Sequence, residues 1–228
     1  MKNENENENE NENKNKKLQE YKFPYDTCEK KSFDTIVKQP YSTIIGIITC
    51  FLIIIFIFVA KSLPTKLVFI SLLIFESLHT YSHFTHLPDN KQVHIVHYTS
   101  YLFTFSLLFW IVYQTKIYPS YGFILILVLL YSFDIYAFNC LPFIYYFISQ
   151  IIIFVSILFA YYSFLPKSLK QNIPLIFLFT LLVIGFEVNE VFNCNRMLQF
   201  YPYFPYHILV ETCGLIAFYF IAKSMYKL

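Results

Sequence analysis

VFISLLIFESLHTYSHFTHLPDNKQVHIVH, residues 68–97, runs from apolar sequence into a stretch that holds five of the chain's six histidines; the sixth is His207. At about 100° per residue, Glu76, His79, Ser82, His83 and His86 share one helical face, within roughly a third of the circumference. The apolar part, and the YLFTFSLLFWIV that follows at 101–112, have the composition of membrane-spanning helices. Ionisable side chains are costly in such segments and face a bundle interior or a water-filled cavity. This polar face is therefore the first candidate for chemistry.

Outward from it, composition fixes the class. Hydrophobic residues make up 57% of the 228 and charged residues 14%, against about 25% charged in a soluble domain, so the chain reads as a polytopic membrane protein. A formal charge of +2 gives no reason to expect a nucleic-acid partner. Five cysteines without a close pair exclude zinc-finger and redox-motif spacing. Runs long enough to cross a bilayer, about 20 residues each, lie near 43–60, 66–82, 93–113, 121–138, 141–164, 173–192 and 206–222. Pro64, Pro88, Pro119, Pro166 and Pro202 punctuate them. The predicted fold is all-α, a seven-transmembrane helix bundle of up-and-down topology over 43–228. Residues 21–42 are expected at the membrane surface, and the Asn/Glu/Lys repeat at 1–20 is expected to be disordered. No apolar stretch near residue 1 has the form of a cleavable leader, so the first crossing is expected to act as the targeting signal.

Up-and-down connectivity gathers Ser82, His86, His94, His97, Asp134, Glu187, Glu190 and His207 on the N-terminal face. It sends Lys61, Lys66, Lys116, Lys167, Lys170, Lys223 and Lys227 to the other. Lysine marks the cytoplasmic side, which predicts a lumenal or external N-terminus and a cytoplasmic C-terminus. Three imidazoles from different helices suit Zn²⁺, which in catalytic sites keeps one position for water; His86, His97 and His207 all start or end helices on one side. The alternative is that each hydrogen-bonds within a polar helix interface. Glu211, one turn after His207, either orients that ring or bonds to a neighbouring helix.

The SHFTH segment at 82–86 resembles the Ser-x-x-x-His motif of the alkaline ceramidases, seven-helix membrane hydrolases with a Ser, an Asp and three His. DTCEK at 26–30, QPYST at 39–43, FEVNEVFNC at 186–194 and PYHIL at 205–209 resemble further family motifs in the same order, so the resemblance covers about residues 25–222. Two positions depart from it. His97 stands where the family has its Asp, eleven residues after the helix-two His, and Tyr203 stands where helix seven has the first His of its pair.

The resemblance implies a zinc-dependent hydrolase of the endoplasmic reticulum or Golgi that cleaves the amide of ceramide or a related membrane lipid to a fatty acid and a sphingoid base. It carries over Ser82 and the zinc ligands His86 and His207. His97, an imidazole at the Asp position, is expected to restore the third ligand, which puts zinc on His86, His97 and His207, Ser82 and His97 at the reacting centre and Tyr203 near the open position. Proton transfer then falls to His94, Glu190, Glu211 or water, and His79 and His83 are left supporting or packing roles. Asp26 and Glu29 match acidic positions of the family's calcium site, although Lys30, Lys31 and Gln39 replace its further oxygen ligands. Cys28 and, with a one-residue offset, Cys194 match cysteines that resemble a family disulfide. Two free thiols are the alternative, with Cys140 as a competing partner, while Cys50 and Cys213 fall within helices. Two other classes fit the same residues: a non-catalytic bundle that binds lipid or protein, and a proton or metal conductor, since His and Glu lines in membranes also mark relays.

Overall fold

The computed structural model describes Cys28, residues 36–85, 90–114, 121–141, 145, 148–149, 152–153, 155–156, 159 and 161–226. The chain is an all-helical bundle, with no strand among the described residues. Its α-helices are α1 (Pro40–Val59), α2 (Leu63–Thr85), α3 (Asn90–Gln114), α4 (Tyr121–Cys140), α5 (Lys167–Phe200) and α6 (His207–Met225). In the run at 141–164 the described positions between 145 and 161 are helical, and a 3₁₀ turn closes it at Tyr162–Phe164. Among the described residues, four helical stretches are long and apolar enough to cross a membrane: α1, α2, Lys167–Glu190 of α5, and α6. The chain is thus a membrane protein, with six of the seven expected runs realised as described α-helices.

Helix boundaries follow local chemistry. Pro40 occupies the first turn of α1, where a missing N–H costs nothing. The largest departure from expectation is α5, which begins just after Pro166 and continues through Pro174 to Phe200. The apolar run ends near 192, but nothing after it stops a helix until Pro202. The last ten residues of α5 extend the rod by about 15 Å beyond its membrane-crossing window.

Packing is inverted relative to a soluble bundle. The inner face of α1 carries Ser42, Thr43, Gly46 and Thr49 before Ile53 and Phe56, while Ile44, Ile48, Phe51, Ile55 and Phe58 are exposed. Small residues inside and large apolar residues outside are what helix contact in lipid selects, because lipid tails are as apolar as leucine. α1 packs on α2 and α6, α2 on α3, and α5 on α6.

The apolar core lies at the end of the bundle where Phe56 meets Phe69 and Phe218, with ring centroids 5.7 and 6.1 Å apart. There the fully buried Trp110 indole donates to Thr65 Oγ1 at 2.9 Å, which satisfies a polar group that would otherwise be orphaned. At the same end Asn172 donates to Ser224 Oγ at 2.9 Å, tying α5 to α6.

Closest approach between α1 and α2 occurs at Gly46. A Cβ there would overlap the Thr80 hydroxyl, with Thr80 Cβ and Cγ2 each 3.0 Å away. Gly46→Ala is expected to destabilise the bundle by about 1–3 kcal/mol, measured as a lowered thermal midpoint in detergent, and Thr80→Ala in the same chain should recover part of the loss.

Candidate metal centre

α2 presents Glu76, His79 and His83 at i, i+3 and i+7, a spacing that stacks side chains on one helical face. α6 opens with His207 and carries Glu211 one turn later. Because these segments lie at the same end of the bundle, the two faces meet. His79, His83, His207 and Glu211 each bring one ligand atom into a buried group whose atoms all lie within 4.8 Å of one another.

The geometry is specific atom by atom. His83 Nε2 lies 3.1 Å from His79 Nε2 and 3.2 Å from Glu211 Oε1. The same Glu211 oxygen is 3.5 Å from His79 Nε2 and 3.1 Å from His207 Nε2. The other nitrogens of the His207 and His83 rings face outward to acceptors. His207 Nδ1 donates to Glu190 Oε2 at 2.9 Å, and His83 Nδ1 donates to Gln39 Oε1 at 2.6 Å. His79 Nδ1 lies 3.6 Å from Glu76 Oε2, and Phe75 stacks on the His79 ring at 5.6 Å. His83, His207 and Gln39 are almost completely buried.

This set differs in register from the zinc ligands expected from sequence. The pair in α2 is His79 and His83, one turn before Ser82 and His86, and it now stands at the centre instead of supporting it. His86 lies outside the described residues, past the Thr85 end of α2, and so do Asp26 and Glu29; the side chains of His94 and His97 are likewise not described.

Of the expected site residues that are described, His207, Glu190 and Glu211 are brought together. Glu190 stands behind the His207 ring, and Glu211 lies inside the cluster. Ser82 is buried, and its hydroxyl donates to the His79 carbonyl at 2.6 Å, so its proton is committed to its own helix. Tyr203 sits in the turn before α6 with 80% of its surface exposed, outside the buried constellation. Gln39 was legible in the sequence only as a weakened calcium position; its contact with His83 depends on how α1 meets α2, which no local pattern encodes.

Cys28 and Cys194 are joined in a disulfide, with Cα atoms 5.5 Å apart. Cys194 lies one turn beyond Glu190 on α5, so the bond ties the N-terminal segment to the helix that backs His207. Cys50, Cys140 and Cys213 are free.

Comparison with protein-family models, with curated proteins and with solved structures finds no match to this chain. The geometry therefore carries the functional argument by itself.

Removing one member should expose how tightly the group is coupled. His207→Ala leaves Glu190 and Glu211 facing each other without the ring between them. Stability in detergent is expected to fall by about 3–5 kcal/mol, as for other buried ionic groups that lose one partner. Glu190→Gln and Glu211→Gln added to that variant should restore much of the loss in a denaturant titration.

Proposed function

We propose that the protein is a metal-dependent hydrolase of the membrane that resembles the alkaline ceramidases, and that its metal is held by His79, His83 and His207 with Glu211 beside it. The observation that carries this reading is convergence. With the Nδ1 atoms of His83 and His207 bonded outward, the imidazoles turn Nε2 atoms towards one another and towards a carboxylate oxygen. Two bare nitrogens so close together repel unless a proton or a metal cation lies between them. A tetrahedral ion with bonds of about 2.0–2.1 Å to nitrogen has ligand atoms about 3.3 Å apart; here the Glu211 oxygen lies 3.1–3.5 Å from the three Nε2 atoms and the His79 and His83 nitrogens 3.1 Å from each other, in a group whose atoms all lie within 4.8 Å. Outward hydrogen-bond partners such as Glu190 and Gln39 are the usual means of fixing the tautomer and orientation of metal-binding imidazoles.

Zinc in such a position polarises a carbonyl and lowers the pKa of bound water. Around it the chain's own residues have distinct tasks. His79, His83 and His207 bind, and Glu190 holds the His207 ring so that Nε2 faces inward. Glu211, the carboxylate inside the cluster, is the base placed to take a proton from the attacking water and return it to the leaving amine. The Ser82 proton is already given to the His79 backbone carbonyl, so that hydroxyl serves its own helix and not the substrate.

The lipid side of the proposal rests on a cavity of about 460 Å³ between α3, α4, α5 and α6. Its walls include Leu108, Leu130, Ile176, Phe177, Ile184 and Ile221, with Asp134 as the one acidic side chain among the described lining residues. A hydrocarbon chain of a lipid amide fits that lining. The disulfide favours an oxidising compartment for the end of the bundle that carries the metal cluster, in keeping with a lumenal N-terminus in the endoplasmic reticulum or Golgi.

A second reading has its own observation. Three imidazoles and one carboxylate can fill all four positions of zinc, and closed sites are structural. The chain would then be a non-catalytic relative that uses the metal to lock α2 to α6.

One experiment separates the readings. Protein purified without chelator is expected to carry about one zinc per chain, to release protons as zinc is added back to stripped protein, and to liberate fatty acid from ceramide. His83→Ala should lose both metal and hydrolysis, whereas His86→Ala should keep both. Metal without hydrolysis identifies the closed site. Failure of the wild type to bind zinc overturns the metal centre.

A further inference from the structure

We infer that Gln39 is a positioning residue of the metal centre, the group that fixes His83 as a neutral ligand with a bare Nε2. This inference rests on the metal reading above and extends it to a residue with no ligand atom of its own in the cluster.

Two independent contacts hold Gln39 against His83. Helix α2 is described to Thr85, and two carbonyls of that last described turn accept bonds from outside the helix. The chain just before α1 supplies them: Lys38 N donates to the Phe84 carbonyl and Gln39 N to the His83 carbonyl, both at 3.1 Å. This cap fixes the Gln39 backbone beside His83, with φ −128° and ψ 82°. From there the side chain reaches His83 Nδ1 at 2.6 Å. Both residues are 1% exposed, so water does not compete for the contact.

The chemistry of the amide explains the choice of residue. Its oxygen accepts but carries no charge, so it keeps the His83 proton on Nδ1 without favouring an imidazolium. A lone pair is left on Nε2, 3.1 Å from that of His79. The other two rings are backed by the carboxylates Glu190 and Glu76. With Glu211, the centre has three formal negative charges around a dication, and a fourth carboxylate behind His83 would increase the imbalance in a site removed from water. Neutral backing at one ring limits that charge while still orienting it.

Gln39→Leu keeps the size of the side chain and both backbone bonds while removing the acceptor. Zinc affinity, measured by chelator competition on the full-length protein in detergent, is expected to fall 10- to 100-fold, as when other outer partners of metal-binding histidines are lost. The visible spectrum of the Co²⁺-loaded protein should change with it, which a purely structural role for Gln39 would not cause. Gln39→Glu, which restores an acceptor oxygen but adds a fourth carboxylate, should recover part of the affinity lost in the leucine variant without exceeding the wild type.

If Gln39→Leu does not fold, Gln39→Ala takes its place, and ring ¹⁵N shifts of His83 in the metal-free wild type should show the proton on Nδ1. Wild-type zinc binding with unchanged affinity and cobalt spectrum in the leucine variant overturns the positioning role alone. No zinc binding by the wild type overturns both this role and the metal centre.

Discussion

Everything at the polar end of this bundle depends on one contact, the Glu211 carboxylate oxygen set within 3.1–3.5 Å of three imidazole nitrogens. It joins α2 to α6 at a depth where an isolated charge would be costly. The contact forms only if the helices keep a single register, because a shift of one residue would turn His79 and His83 about 100° away from His207. Polar burial here selects one arrangement among helix packings that lipid alone would not distinguish, since apolar surface gains little by leaving apolar solvent.

That register is set by packing that contains no ionisable group. Gly46 lets α1 approach the Thr80 side chain of α2. Thr80 lies between His79 and His83 in sequence, so the same close approach brings the start of α1, with Gln39, to the back of His83. At the far end Phe56, Phe69 and Phe218 lock α1, α2 and α6 together. Asn172 and Ser168 bond to Ser224 and hold α5 on α6, and the Cys28–Cys194 bond secures the outer part of α5 near Glu190. The apolar end and the covalent bond thus determine where the polar groups can meet.

Much of this was legible in sequence. Length and apolarity are local properties, so the runs at 43–60, 66–82, 93–113, 121–138, 173–192 and 206–222 correspond to described helices, and helical periodicity placed Glu76, His79 and His83 on one face. The end of α5 was less legible because hydropathy marks where a bilayer ends but not where a helix ends; α5 stops at Phe200, two residues before Pro202. The cluster formed by the described residues lies one turn before the Ser82–His86 motif that carries the resemblance. Motif matching anchored on Ser82 and His86, while the decision between that pair and His79 with His83 depends on which turn of α2 faces the first turn of α6. Such a depth match between two helices is a tertiary property, and a one-turn shift leaves the face pattern unchanged.

The same reasoning accounts for the other departure from the ceramidase pattern. In the ceramidase pattern the partner of His207 stands four residues earlier, where this chain has Tyr203, and α6 begins only at His207 itself. Pro205 can take no part in an intrahelical N–H bond, and the residues before it form a turn in which Tyr203 is exposed. For a residue in the first turn of a helix, a neighbour on the same face can come only from i+3 or i+4. Those positions are Val210 and Glu211, and Glu211 alone can bind a cation. A helix that starts at the histidine thus changes the character of the pair, from two imidazoles to an imidazole and a carboxylate. It gives the centre an anionic member that can act as a ligand or as a base according to whether the fourth position is filled.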